Sequence, residues 1–181
     1  SIGGRMLENK KAFIKDFLET NKDLARDEGM DGWSYSREEQ DIMTIAYMDK
    51  NIIVLSRMLY SYTGGAHGYY GTQYICLDLN GQSVIKLNDV LTSQGISKLP
   101  RLLEKNYRLQ NNVEPKQSLQ EAGLFEDTIK ANDNILLTPG ALIFNYTPYE
   151  IAPYAAGEVM IYIPINELEA YLKPEIKNLL K

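Results

Sequence analysis

The spacing of hydrophobic positions changes period once along the chain. Leu7, Ile14, Phe17, Leu18 and Leu24 recur at helical spacing, with Lys10, Lys11, Lys15, Asp16, Glu19 and Asp23 filling the rest. This predicts an amphipathic helix over 7–27, closed by Gly29 and Gly32. The period then falls to two. Residues 42–48 and 52–60 read as strands, joined by Asp49-Lys50-Asn51 as a hairpin turn. A third strand is predicted over 69–79, and Asn80-Gly81 turns it into 83–87. Asn88 or Ser93 is expected to cap helical turns. Residues 93–110 predict a helix with Ile96, Leu99, Leu102, Leu103 and Tyr107 apolar, and Pro100 predicts a break or a fresh start. Ser118 and Glu121 have the spacing of a capping box for a short helix. Residues 135–138 and 141–146 flank the turn pair Pro139-Gly140, and 158–163 reads as a further strand. Asn166 is expected to cap a helix through Tyr171, and Pro174 to start the last one. The sum is an α+β fold in a single domain over 1–181, with a mostly antiparallel sheet and N-terminal, middle and C-terminal helices.

Composition narrows the chemistry. There are 13 Tyr against 4 Phe and 1 Trp, with a single His and a single Cys. One His excludes a site that needs two, such as a zinc protease helix; one Cys excludes an intramolecular disulfide or a Cys-rich zinc site. No metal or cofactor is expected. A net charge of −5 argues against nucleic acid as a partner and favours encounter with a basic macromolecule. No apolar run approaches the ~18 residues of a membrane span. The chain begins with Ser1, which is expected of a mature or trimmed fragment whose targeting or anchoring segment has been removed.

The tyrosines are clustered. Residues 60–71 and 146–157, with Tyr74 and Tyr162 beside them, hold nine of the 13. Segments 58–85 and 131–172 contain no Lys or Arg. The first block places Gly64, Gly65 and Gly68 around His67, between two strands. It has no Walker lysine and does not fit G-x-G-x-x-G, which disfavours phosphate binding. It is read either as a tight connection whose His67 bonds a backbone carbonyl, or as a recognition loop. The second block is stiffened by Pro148 and Pro153, and Glu150 is its only charge. Its tyrosines either pack the end of a sheet or present a paratope-like surface. His67 with Glu150 suggests a hydrolase, with no nucleophile elbow beside it, and Glu150 with Asp78 or Asp89 has the residue types of a glycosidase carboxylate pair, although Asp78 in a strand and Asp89 before a helix are expected to be solvated or capping. Cys76 is expected to be a buried small hydrophobe.

Long, ordered motifs cross these blocks. They are Tyr62-Thr63-Gly64-Gly65-Ala66-His67-Gly68, Leu77-Asp78-Leu79-Asn80-Gly81, Leu87-Asn88-Asp89, Tyr149-Glu150-Ile151-Ala152-Pro153-Tyr154-Ala155-Ala156-Gly157, Ile163-Pro164 and Glu167-Leu168. On them the sequence resembles the bacterial extracytoplasmic domain-of-unknown-function family 3298, over about residues 52–172. That domain occurs at the C-terminus of the anti-sigma factor RsiV and beside the catalytic domain of the peptidoglycan deacetylase PdaC. The resemblance implies an α+β fold in a periplasmic or cell-surface protein, lipid-anchored or membrane-tethered, acting at the cell envelope. It implies that residues 1–51 are the tail of a preceding PdaC-like region. In the RsiV branch the domain binds lysozyme; in the PdaC branch it accompanies a glycan-modifying enzyme without supplying the chemistry.

The expectation is therefore a non-catalytic binding or sensing domain whose partner is a lysozyme-like protein. Thr63, Gly64, Gly65, His67 and Tyr69 would form one part of its surface, and Tyr149, Glu150, Pro153 and Tyr154 the other. The second block would enter a cleft of the partner as a stiff, proline-bounded loop. The alternatives are a module that binds peptidoglycan by stacking tyrosines on sugar rings, and the hydrolase of His67 and Glu150.

Overall fold

The computed structural model describes residues 37–181, together with Lys11, Ala12, Ile14, Lys15 and Glu19. These five are helical; the rest of the helix expected over 7–27, with Gly29 and Gly32, lies outside the described residues. The described chain falls into two compact units. The larger comprises Gln40–Tyr60 and Tyr69–Lys181; Ser61–Gly68 belongs to the smaller.

Two sheets carry the fold. The first has four strands in the order β1 (Glu38–Met48), β2 (Ile52–Tyr62), β3 (Tyr69–Asp78) and β4 (Ser83–Ile85). The second has three, β5 (Ile135–Leu137), β6 (Ala141–Tyr146) and β7 (Val159–Pro164), paired antiparallel in chain order. The α+β class read from the sequence is what forms. The period-two segments became strands, with β1 and β2 longer than expected and β4 shorter. Asp49 closes the first hairpin: its Oδ1 accepts from the N–H groups of Asn51 and Ile52 at 2.7 and 2.8 Å. At Asn80-Gly81, Asp78 Oδ1 accepts from Asn80 N–H, and a Cβ on Gly81 would lie 2.6 Å from Asp78 Oδ2, so a side chain there would push the Asp78 carboxylate aside.

Among residues 87–181 four α-helices form, in chain order α1 (Leu87–Val90), α2 (Ser93–Asn111), α3 (Ile165–Leu168) and α4 (Pro174–Leu179). Neither Asn88 nor Ser93 caps. Lys86 precedes α1, its N–H bonded to Asp89 Oδ2 at 2.9 Å, and Thr92 caps α2 through its Oγ1. α2 runs unbroken through Pro100. That residue is exposed, while Leu99, Leu103 and Tyr107 stay buried on one face before and after it, so packing outweighs one lost hydrogen bond. The capping box forms at Ser118 and Glu121, with reciprocal bonds of 3.1 and 3.0 Å, but only turns follow it. α3 starts at Ile165, before Asn166, because Pro164 ends β7 directly into it. Pro174 opens α4 at a first-turn position, as expected.

α2 packs on β7. The middle strand β6 is buried from Leu142 to Tyr146 without alternation, so both of its faces are covered. Leu137, Leu142, Phe144, Ile161 and Ile163 are fully buried, at about 1.5–3 kcal/mol of apolar burial each.

The two sheets meet along β3 and β5 through side chains instead of a backbone ladder. Asn134 presents its amide to β3 as a strand would, Oδ1 accepting from Tyr74 N–H at 2.8 Å and Nδ2 donating to Thr72 O at 2.7 Å. Cys76 Sγ donates to Ile135 O and accepts from Leu137 N–H, both at 3.3 Å. Burial pushes this thiol up to about 11. Asn145 Nδ2 adds a second donor to Thr72 O at 2.9 Å, and Glu158 Oε1 accepts from Thr72 N–H. This polar seam positions the start of β3 against the loop that joins β6 to β7.

Candidate functional site

Loop 146–157 is built from its ends inward. Tyr146 closes β6 fully buried, its hydroxyl donating to Lys130 O at 2.8 Å. Burial raises its pKa, and the Glu150 carboxylate adds to the rise. Glu150 then acts as an internal brace. Its Oε2 accepts from Thr147 N–H at 2.9 Å and from Thr147 Oγ1 at 3.3 Å. Its Oε1 accepts from Asn132 Nδ2 at 2.8 Å, and the same amide donates to Asn145 O. Both oxygens of the one charged side chain in the block are thus committed to holding the turn.

At the tip, Tyr149 sits at φ +69°, in the left-handed region that a bulky side chain rarely adopts. Its N–H donates to Ala152 O, and Glu150 N–H donates to Thr147 O, so the turn fixes the conformation from both sides. Tyr149 is 53% exposed. Ala152 is buried beneath it, and Ile151 O accepts from Phe125 N–H. Pro153 is exposed and leads into one 3-10 turn, Tyr154–Ala156, closed by Gly157 at φ +71°.

The start of β3 meets this loop. A Cβ on Gly71 would lie 2.7 Å from Thr147 Cγ2, and one on Gly157 would lie 3.3 Å from the Tyr70 hydroxyl. The Tyr69 hydroxyl donates to Thr147 Oγ1 at 3.4 Å. The Tyr154 ring has Tyr149 at 5.6 Å, tilted by 34°, and Tyr70 at 5.8 Å, nearly perpendicular at 79°. The three rings form a corner and not a flat platform. Desolvation raises the Tyr154 hydroxyl pKa, and the phenols of Tyr70, Tyr60 and Tyr149 raise it further.

Of the residues singled out in the sequence, Tyr69, Tyr149, Glu150, Pro153 and Tyr154 come together in the larger unit. Thr63, Gly64, Gly65 and His67 belong to the smaller. There Gly64 and Gly65 adopt φ +97° and +98°, Tyr62 Oη donates to Gly65 O at 2.9 Å, and His67 Nδ1 lies 3.0 Å from Gly68 O. Sequence reasoning missed Asn132, Asn134, Asn145 and Glu158, whose bonds set the seam and the loop. The signal available was Asn132-Asp133-Asn134, a polar run placed directly before an apolar strand. It also missed the cavity behind the loop, about 290 Å³, lined by Leu124, Phe125, Lys130, Tyr146, Glu150 and Ile151. Among the described residues no helix is long and apolar enough to cross a membrane, and no cluster of His, Cys, Asp or Glu is placed to hold a metal.

No curated protein matches the chain. Solved structures similar to it include two from the same described family. One is a DUF3298 family member from Bacteroides fragilis, 27% identical over 96% of this chain and 71% of that one, with a TM-score of 0.85. The other is a DUF3298 family protein from Pseudomonas aeruginosa, 24% identical over 91% of this chain and 69% of that one, at 0.68; it shares the fold. The family described as Protein of unknown function (DUF3298) matches residues 88–166, a narrower span than the 52–172 of the sequence resemblance. That span contains all of loop 146–157 and none of block 60–71. Residues 88–166 therefore match the DUF3298 family model, in a chain whose fold is similar to those of solved DUF3298 proteins.

Proposed function

We propose that the larger unit is a non-catalytic recognition module that meets a protein partner through loop 146–157, at a bacterial cell envelope. The observation that carries the reading is Tyr149: a bulky residue at φ +69°, half exposed, at the tip of a loop braced by Glu150. Such a conformation costs on the order of 1 kcal/mol and persists only where its surroundings over-determine it, as they do at binding sites. Two prolines and a bonded carboxylate fix this loop, so its tyrosines lose little entropy on meeting a partner. The envelope location follows the sequence resemblance to the extracytoplasmic family, and the partner, a lysozyme-like basic protein, is the one its RsiV branch binds. A chain of net charge −5 complements such a partner.

In this reading Tyr149 and Tyr154 make the contact, and Glu150 acts through the shape of the loop. Titration calorimetry with a lysozyme tests it, comparing wild type with Tyr154→Ala and Glu150→Ala. Both variants are expected to weaken binding at least about tenfold, the range of a truncated interface anchor. Unchanged binding in both removes the loop from the interface.

A further inference from the structure

We infer that the corner made by Tyr70, Tyr149 and Tyr154 is a receptor for one arginine side chain of the partner. The inference rests on the reading that loop 146–157 meets a partner, and goes beyond it by naming the chemical group received.

Three observations carry it. The first is geometric. Tyr70 stands nearly perpendicular to Tyr154, and Tyr149 is tilted against it, so the rings turn faces in different directions about one point. Arginine is the side chain that uses both parts of such a place. Its flat guanidinium stacks on a ring face, and its fork of N–H donors reaches several oxygens at once. The second is electrostatic. The Tyr70 and Tyr149 rings lie 5.8 and 5.6 Å from that of Tyr154, whose hydroxyl pKa is raised by desolvation first and then by neighbouring phenols. Phenol oxygens and ring faces both attract a cation. The third is in the sequence. All three tyrosines lie in segments 58–85 and 131–172, which contain no Lys or Arg, so the segments that build the corner bring no cation of their own. Glu150 and Glu158 add negative field beside it, while their oxygens stay bonded within the fold.

The test uses the whole chain and three short probes: acetyl-Gly-Arg-Gly-amide, the same peptide with citrulline, and the same with lysine. Citrulline keeps the shape of arginine and loses the charge. The readout is the NMR shift of the tyrosine ring signals during titration. The arginine probe is expected to shift the Tyr149 and Tyr154 rings saturably, and the citrulline probe to bind about two- to thirtyfold more weakly, the range of a cation over an aromatic face. Tyr154→Leu should abolish the response. Tyr149→Asn, which tolerates the left-handed backbone, should weaken it even if Tyr154→Leu folds poorly. An equal response to arginine and citrulline, no response, or a response that survives both variants overturns the inference. A lysine probe as strong as arginine overturns the choice of guanidinium. If lysozyme fails to bind while the arginine probe does, the partner is wrong and the receptor stands. If lysozyme binds and no probe does, the loop stands and the receptor falls.

Discussion

Tyr146 and Tyr149 are three residues apart and serve opposite ends. The Tyr146 ring fills the core and its hydroxyl satisfies Lys130 O, while Tyr149 is held out at the tip. Composition located both within one block but could not separate them, because β6 is buried on both faces and alternation no longer tells inside from outside. Replacing Tyr146 by Phe keeps the volume and strands a carbonyl; a loss of about 1–3 kcal/mol is expected in urea unfolding. Glycines divide in the same way. Gly65 has φ +98° and open space around it, so Gly65→Ala should cost only the conformational term, about 1 kcal/mol. Gly71 has no such dihedral, but its missing Cβ makes room for Thr147 Cγ2 at 2.7 Å. Gly71→Ala should therefore displace loop 146–157, read as shifted Tyr69 and Tyr149 ring signals, whereas Gly65→Ala should leave the Tyr149 ring signal in place. The sequence marks both as glycines of one block. Only the fold separates a backbone requirement from a close approach.

Among the elements, strands were legible because period two is local. Their division into two sheets was not, because the seam between β3 and β5 rests on side chains about sixty residues apart. The unbroken α2 has a related cause. Pro100 gives a strong local signal for a break, yet buried residues at Leu99, Leu103 and Tyr107 hold one axis through it. The capping box at Ser118 failed in the other direction: its bonds formed and no helix followed, so a cap is not sufficient without an apolar face to pack. The seam yields the sharpest test at this scale. Asn134→Ala removes the acceptor of Tyr74 N–H and one of two donors to Thr72 O. A loss of about 2–3 kcal/mol is expected, with an unchanged slope in urea. Asn145 sustains Thr72 O, so the variant should remain folded. Cys76 lies in the same seam with its thiol pushed up to about 11 by burial. It should therefore stay unmodified by a maleimide at pH 7 in the native state and react once the chain is unfolded.

The whole molecule carries more acidic than basic groups, yet its response to acid turns on where carboxylates are bonded. Glu167, at the start of α3, reaches across to α2. Its Oε1 lies 2.8 Å from Lys105 Nζ, and its Oε2 accepts from the buried Asn106 Nδ2 at 3.3 Å. The Lys105 ammonium, with Asn106 in support, holds the Glu167 carboxyl below its ordinary range against the opposing effect of burial. A carboxyl whose pKa is lower in the folded state stabilises the fold while ionised. That stabilisation is fully present above the unfolded value, about pH 4.3, and is lost as pH falls through the lowered value. Glu167→Gln keeps an acceptor for Asn106 and removes the titrating group. It should lower stability at pH 7 modestly, because Lys105 is half exposed and solvent screens the pair. As pH falls from about 4.3 through the lowered value the two proteins should converge, since wild type loses there what the variant never had. Thermal unfolding from pH 7 down to pH 3 measures this directly. A constant gap between the curves across that range would show that Glu167 contributes through packing that glutamine does not reproduce, and not through its charge.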